Sequence, residues 1–194
     1  MIVKICGITN QDDADLCAES GAAALGFNFF PQSPRYITPE HAARIASHLP
    51  PEVLKVGIFV NEAPAHIAAV KAEARLDVAQ IIGDPPRGLR YWTTHRVNAD
   101  FAADQLDDSE AEAFLLDTPS ATLFGGTGHT FDWQRARIPG KRIIIAGGLG
   151  PDNVSAAIRA ATPWGVDACS RLEREPGRKD PAKVKAFVQA ALNV

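Results

Sequence analysis

The sequence predicts an α/β fold: a compact (βα)8 TIM barrel over residues 1–194 as one domain, with the helix between strands four and five lost or reduced to a turn. Three observations carry this expectation. Short apolar runs alternate with helical segments along the 194 residues, as in a parallel sheet with helical crossovers. Several of those runs hold Val, Ile and Phe on consecutive positions, as strands covered on both faces do. The Gly-x-Gly-x-x-Gly fingerprint of a doubly wound nucleotide-binding sheet is absent after the first run, which favours the closed barrel.

The runs read as strands near Ile2–Cys6, Ala23–Phe30, Leu54–Val60, Val78–Ile82, Tyr91–Val97, Ala113–Asp117, Arg142–Ala146 and Gly165–Cys169. Helices are expected at Gln11–Ser20, Pro39–His48, Pro64–Ala74, Pro151–Ala161 and Pro181–Leu192. Thr38-Pro39-Glu40 and Gly150-Pro151-Asp152 each place proline in a first helical turn, where its missing N–H does little harm. Between the fourth and fifth strands stand only Gly83-Asp84-Pro85-Pro86-Arg87-Gly88-Leu89-Arg90, and two prolines with two glycines do not sustain a helix. Asn98–Glu110 leaves room for one short helix. The chain is short for this fold, whose usual length is about 250 residues.

Composition narrows the function classes. Hydrophobic residues make up 46% of the chain, enough for a sizeable core. A net charge of −3 excludes a general nucleic-acid binder, which needs a basic face for counterion release. No apolar run has the length of a membrane span, and the start MIVKICGITN has no secretory h-region. The three cysteines, Cys6, Cys17 and Cys169, form neither a CxxC nor a Cys/His cluster, so neither zinc nor a disulfide framework is expected. A reducing cytoplasm is the simplest setting.

In this fold the working residues sit at the carboxyl ends of strands. That places Cys6 and Asp117 at the barrel mouth. A thiolate at Cys6 can take a proton from a substrate carbon if its pKa is lowered, although a buried cysteine is more often a small hydrophobe. Asp117 ends an apolar strand and should face the mouth, because an unpaired buried carboxylate is expensive; its alternative is a loop cap or ion-pair partner. Gly147-Gly148-Leu149 precedes a helix, and bare N–H groups there can cradle a phosphate. An ordinary tight turn would also favour those glycines. Ser170 on the neighbouring strand can add a hydroxyl and an N–H. Arg35, in the loop after strand two, can grip a carboxylate bidentately or be a solvated surface residue.

The chain is similar to the phosphoribosylanthranilate isomerases. The motifs that carry the resemblance are Val3-Lys4-Ile5-Cys6-Gly7-Ile8-Thr9, Leu25-Gly26-Phe27, Ser33-Pro34-Arg35-Tyr36-Ile37 and Lys55-Val56-Gly57-Ile58-Phe59-Val60-Asn61. Leu115-Leu116-Asp117-Thr118 follows, then the most specific, Gly125-Gly126-Thr127-Gly128-His129-Thr130-Phe131-Asp132-Trp133. Ala146-Gly147-Gly148-Leu149 with Pro151-Asp152-Asn153-Val154, and Pro176-Gly177-Arg178-Lys179-Asp180, complete the set. The resemblance implies an Amadori rearrangement in tryptophan biosynthesis, without cofactor or metal. Asp117 would be the general acid that opens the ribose ring and Cys6 the general base that takes the C2′ proton. Arg35 would hold the anthranilate carboxylate, Gly147, Gly148 and Ser170 the phosphate, and the loop around Gly126 would cover the site.

Three positions depart from the family pattern. Ile82 stands where the family has histidine in Gln-Leu-His-Gly, Thr93-Thr94 where strand five commonly carries lysine, and Arg171 where glycine follows Ser170. Arg171 would either crowd the phosphate loop or add a charged contact. Two alternatives follow: a degenerate barrel that binds a phosphorylated ligand without turnover, and an isomerase of a different aminoaldose phosphate. The latter type uses two aspartates, so Cys6 favours anthranilate. The expected partner is a small phosphorylated substrate, not nucleic acid or membrane. The chain is expected to be a monomer by default, with a dimer possible through apolar surface near Pro85–Arg90.

Overall fold

A computed structural model of the chain describes residues 1–107, 110–118 and 130–194. Eight parallel strands close on themselves in sequence order: β1 (Ile2–Cys6), β2 (Ala24–Asn28), β3 (Leu54–Val60), β4 (Val78–Ile82), β5 (Tyr91–Arg96), β6 (Ala113–Asp117), β7 (Ile143–Ile145) and β8 (Gly165–Ala168). Closure is made by β1 and β8, with Lys4 paired in register to Asp167 and Ile5 to Ala168.

The returns are uneven. Helices α1 (Gln11–Glu19), α2 (Pro39–Ala46) and α3 (Pro64–Glu73) follow the first three strands. Asn10 caps α1 by accepting from the Asp13 N–H at 3.0 Å, and Thr38 caps α2 through the His41 N–H. As expected from Pro85-Pro86, no helix joins β4 to β5. Among the described residues, the segment after β5 forms a 3₁₀ turn, Ala103–Gln105, and another at Trp133–Ala136 precedes β7. Helix α4 (Val154–Ala161) returns from β7, and α5 (Pro181–Leu192) closes the chain. A two-stranded hairpin of β9 (Glu173–Glu175) and β10 (Arg178–Lys179), not foreseen in the sequence, lies between β8 and α5. Among the described residues no helix is long and apolar enough to cross a membrane.

One helix start differs from expectation. Pro151 lies in the turn before α4, whose N-cap is Asn153. The Asn153 side chain is turned backwards, its amide donating to the Gly148 carbonyl at 3.0 Å and its oxygen accepting from the Gly150 N–H at 2.8 Å. The loop's needs took the group that would have capped the helix, and α4 begins later.

Two apolar clusters hold the barrel. One packs the outer strand faces against the helices through Phe27, Phe59, Phe187 and their neighbours. The other, with Val56, Val78, Trp92, Leu115 and Ile144, fills the lumen. Trp92 is fully buried there, edge-on to Trp164 at 6.0 Å. Against this apolar fill stands one ion pair, Lys4 Nζ to Asp167 Oδ1 at 2.9 Å, with the lysine side chain wholly buried. Burial raises the Asp167 carboxyl above its ordinary value even beside Lys4, while the Asp167 charge holds the Lys4 ammonium above its own ordinary value against the same burial, so each charge depends on the other's company. Removing one partner strands the other. Asp167→Ala should therefore lose about 3–5 kcal/mol in urea unfolding, while Lys4→Met with Asp167→Leu recovers most of it. A single-variant loss below about 1 kcal/mol would show that Lys4 finds water or another partner.

Candidate active site

The carboxyl ends of the strands surround one cavity of about 960 Å³, open to solvent. It brings together Cys6, Arg35, Asp117, Gly147, Gly148 and Ser170, six of the seven residues singled out in the sequence. The seventh, Gly126, lies outside the described residues.

Cys6 ends β1 on the same strand face as Lys4, two residues earlier. Gly26 on β2 makes room for its sulfur, since a Cβ there would sit 2.9 Å from Cys6 Sγ. The Cys169 thiol beside it, together with the Lys4 and Lys179 cations, outweighs burial and the Asp167 charge and lowers Cys6 to about 7. Cys169 is driven the other way: its hydrogen bond to Cys6 and its burial raise it well above the ordinary thiol value. The two thiols thus shift in opposite directions, Cys6 being the more easily ionised of the pair.

Asp117 ends β6. Burial, helped by the Asp167 charge, raises its carboxyl to about 6, against the opposing pull of the Thr118 N–H, Arg96 and Lys4. That N–H donates to Asp117 Oδ1 at 2.8 Å. Gly147 closes over the same oxygen: its φ is +81°, and a Cβ would lie 2.7 Å from Asp117 Oδ1 and 2.3 Å from Thr118 Oγ1. No side chain fits there.

The loop after β7 carries its amides bare. Among the described residues, the N–H groups of Gly147, Gly148 and Leu149 make no backbone or side-chain hydrogen bond, and all three residues line the cavity beside Ser170. Two further polar atoms of cavity residues, Gln80 Oε1 and Thr118 Oγ1, are buried without a hydrogen-bond partner. Buried polar groups are normally satisfied, so these two are unmet hydrogen-bond acceptors in residues of the cavity wall.

Arg35 is neither a solvated surface residue nor an idle one. Its side chain is 14% exposed, and it already grips a carboxylate of its own chain, Glu173, with Nε at 2.9 Å and Nη2 at 2.7 Å. Glu173 is held in turn by Lys179 Nζ at 3.0 Å, and Lys179 donates to the Cys6 carbonyl at 2.7 Å. Neither this chain of contacts nor Cys169 and Arg96, which also line the cavity, was assigned a role from the sequence. A lysine inside an apolar strand two residues before Cys6 was the available signal for the Lys4–Asp167 pair. At the three departures, Ile82 and Thr94 stand on the cavity wall, with Thr94 Oγ1 accepting from Gln80 Nε2 at 3.3 Å. Arg171 spans the β7 loop from outside, reaching the Gly148 carbonyl at 3.0 Å and the Asp152 carboxylate at 2.8 Å.

Residues 3–190 match the family model for N-(5′-phosphoribosyl)anthranilate (PRA) isomerase. The chain belongs to the PRA isomerase family. A relative from Solibacter usitatus with that name is 50% identical over 98% of this chain and 97% of its own length. The phosphoribosyl anthranilate isomerase structure from Thermotoga maritima superposes with a TM-score of 0.91 at 39% identity, covering 100% of both chains. Another isomerase of the family, solved in complex with reduced 1-(o-carboxyphenylamino)-1-deoxyribulose 5-phosphate, has a TM-score of 0.87 at 37% identity, again over 100% of both chains.

The split between the thiols can be read directly. Thiolate fraction sets the alkylation rate, so Cys6, lowered to about 7, should be the first cysteine modified by iodoacetamide at mildly alkaline pH. Cys17, buried and pushed up to about 12, should stay unmodified in the folded protein. Peptide mass mapping that found Cys169 modified ahead of Cys6 would reverse the assignment of charge.

Proposed function

We propose that this chain isomerises N-(5′-phosphoribosyl)anthranilate to 1-(2-carboxyphenylamino)-1-deoxyribulose 5-phosphate in tryptophan biosynthesis, with Asp117 as general acid and Cys6 as general base. The observation that carries the reading is the opposite tuning of two groups in one cavity. The thiol is lowered to about 7 and the carboxyl raised to about 6, as an acid and base working near neutrality require.

The substrate is a furanose aminal, and its ring must open before carbon chemistry can begin. Protonated Asp117 gives its proton to the ring oxygen as the C1′–O bond breaks, leaving an iminium to the anthranilate nitrogen. That cation makes the C2′ proton acidic, and the Cys6 thiolate removes it to give an enolamine. Tautomerisation to the ketone moves the C2′ hydroxyl proton to C1′ and completes the isomerisation, and the proton held by the Cys6 thiol passes through solvent to the Asp117 carboxylate, restoring both groups. Each such transfer contributes about 10²–10⁴-fold, so positioning must supply much of the rest.

The cavity has groups suited to that positioning. The bare amides of Gly147, Gly148 and Leu149, with Ser170, suit the phosphate. Glu173 takes Nε and Nη2 of Arg35, which leaves Nη1 for the anthranilate carboxylate. Gln80 Oε1 and Thr118 Oγ1 suit ribose hydroxyls. Ile82 in place of the family's histidine gives that wall an apolar surface against which the aromatic ring can pack.

Turnover is followed by the loss of substrate fluorescence with freshly prepared material. Wild type should turn over, and Cys6→Ala and Asp117→Ala should each lower kcat by about 10²-fold or more. A wild type that binds the phosphorylated substrate without converting it would support a degenerate binding barrel instead. An Asp117→Ala variant of near-normal kcat would remove the carboxyl from the acid role.

A further inference from the structure

Arg171 stands where the family pattern has glycine, and its guanidinium makes a two-point contact that glycine cannot make. Nη1 donates to the Gly148 carbonyl at 3.0 Å, while Nη2 donates to both Asp152 oxygens at 2.8 and 2.9 Å. The group packs close to Gly150, where a Cβ would come within 3.1 Å of Nε and 3.2 Å of Cζ. One residue from the turn just after β8 thus fastens the glycine turn after β7 to the turn before α4.

The consequence falls on the amides. Gly147 and Gly148 both take positive φ, +81° and +64°, and two consecutive glycines of that kind have a backbone with many alternatives. In a trans peptide the carbonyl and the following N–H point to opposite sides. Holding the Gly148 carbonyl outward, with Arg171 and Asn153 both donating to it, fixes the direction of the Leu149 N–H. Leu149 lines the cavity. A nest of amides binds an anion well only if it is held in shape beforehand.

We infer that Arg171 is a positioning residue for substrate phosphate: it clasps the Gly148 carbonyl to Asp152 and so holds the cavity amides aimed inward, without itself touching the phosphate. This rests on the phosphate site of the proposed function. The guanidinium adds little to global stability, since its ion pair is partly exposed, 33% on the arginine and 65% on the aspartate, and pairs of that kind contribute little. Its effect is on binding.

The test uses the full chain and inorganic phosphate as probe, measured by calorimetry and as a competitive inhibitor. Arg171→Ala should bind inorganic phosphate roughly 5–20-fold more weakly, from the loss of two hydrogen-bonded anchors. Its KM should rise by a similar factor, with kcat changed by less than about two-fold and the melting temperature by less than about 2 °C. Arg171→Lys should fail to rescue, because an ammonium cannot serve both acceptors in the fork geometry of arginine. The deciding variant is Asp152→Ala. A clasp predicts weaker phosphate binding when its far anchor is lost. A guanidinium that contacts phosphate directly predicts stronger binding, because a competing carboxylate is gone; that result would overturn the inference, as would full rescue by lysine or unchanged phosphate affinity in Arg171→Ala. These readings are separable from the reaction itself. A wild type that binds phosphate without isomerising the substrate defeats the proposed function and leaves the phosphate comparison intact.

Discussion

The Lys4–Asp167 pair sits where the barrel closes, linking the first strand to the last at 2.9 Å beside the apolar cluster that fills much of the lumen. Two opposite charges in one low-dielectric place must be kept together. Their positions also give them separate dependants. Lys4 shares a strand and a face with Cys6 and favours its thiolate, while Asp167 adds to burial in raising the Asp117 carboxyl. Each charge has the opposite influence on the other dependant, but a smaller one: Lys4 outranks Asp167 at Cys6, and Asp167 outranks Lys4 at Asp117. A single buried ion pair thus helps to separate an acid from a base across one cavity.

A second, largely buried network positions the same mouth from the β8 side. Glu173 receives Arg35, Lys179 and the Gly177 N–H, and Lys179 reaches back to the Cys6 carbonyl. The loop that carries Arg35 is therefore tied to the strand that carries the base. On the opposite side of β8, Arg171 fastens the loop that carries the bare amides. The residues just after β8 thus hold both flanks of the cavity, although sequence alone assigns only Ser170 of that stretch to the phosphate and leaves Arg171 between crowding the loop and adding a charged contact.

The strands were legible because both faces of a barrel strand are buried, so Val78–Ile82 and Ala113–Asp117 read as apolar runs. The missing helix after β4 was legible from Pro85 and Pro86, which remove donors and fix φ. The start of α4 was not: Pro151 looks like a first-turn proline, and nothing local tells that Asn153 will bend back to Gly148 and Gly150. The same limit applies to the site. Cys6 and Asp117 could be placed at strand ends from sequence alone, but their roles came from resemblance. Their tuning depends on contacts between residues more than a hundred positions apart, such as Lys4 with Asp167 and Arg35 with Glu173, which no spacing rule encodes.

The central claim is that activity needs the unusual protonation pair, Cys6 ionised and Asp117 neutral. Rising pH through about 7 creates the thiolate and gains activity; rising pH through about 6 ionises the carboxyl and loses it. The product of the two fractions peaks between those values, where only about one molecule in twenty is correctly protonated. The pH dependence of kcat/KM for the wild type tests this most directly, since it reports the free enzyme's groups. A bell that falls on both sides of a maximum between about 6 and 7 is the predicted result. A profile that rises through about 7 and stays level in alkali would contradict it, because Asp117 would then be working without its proton.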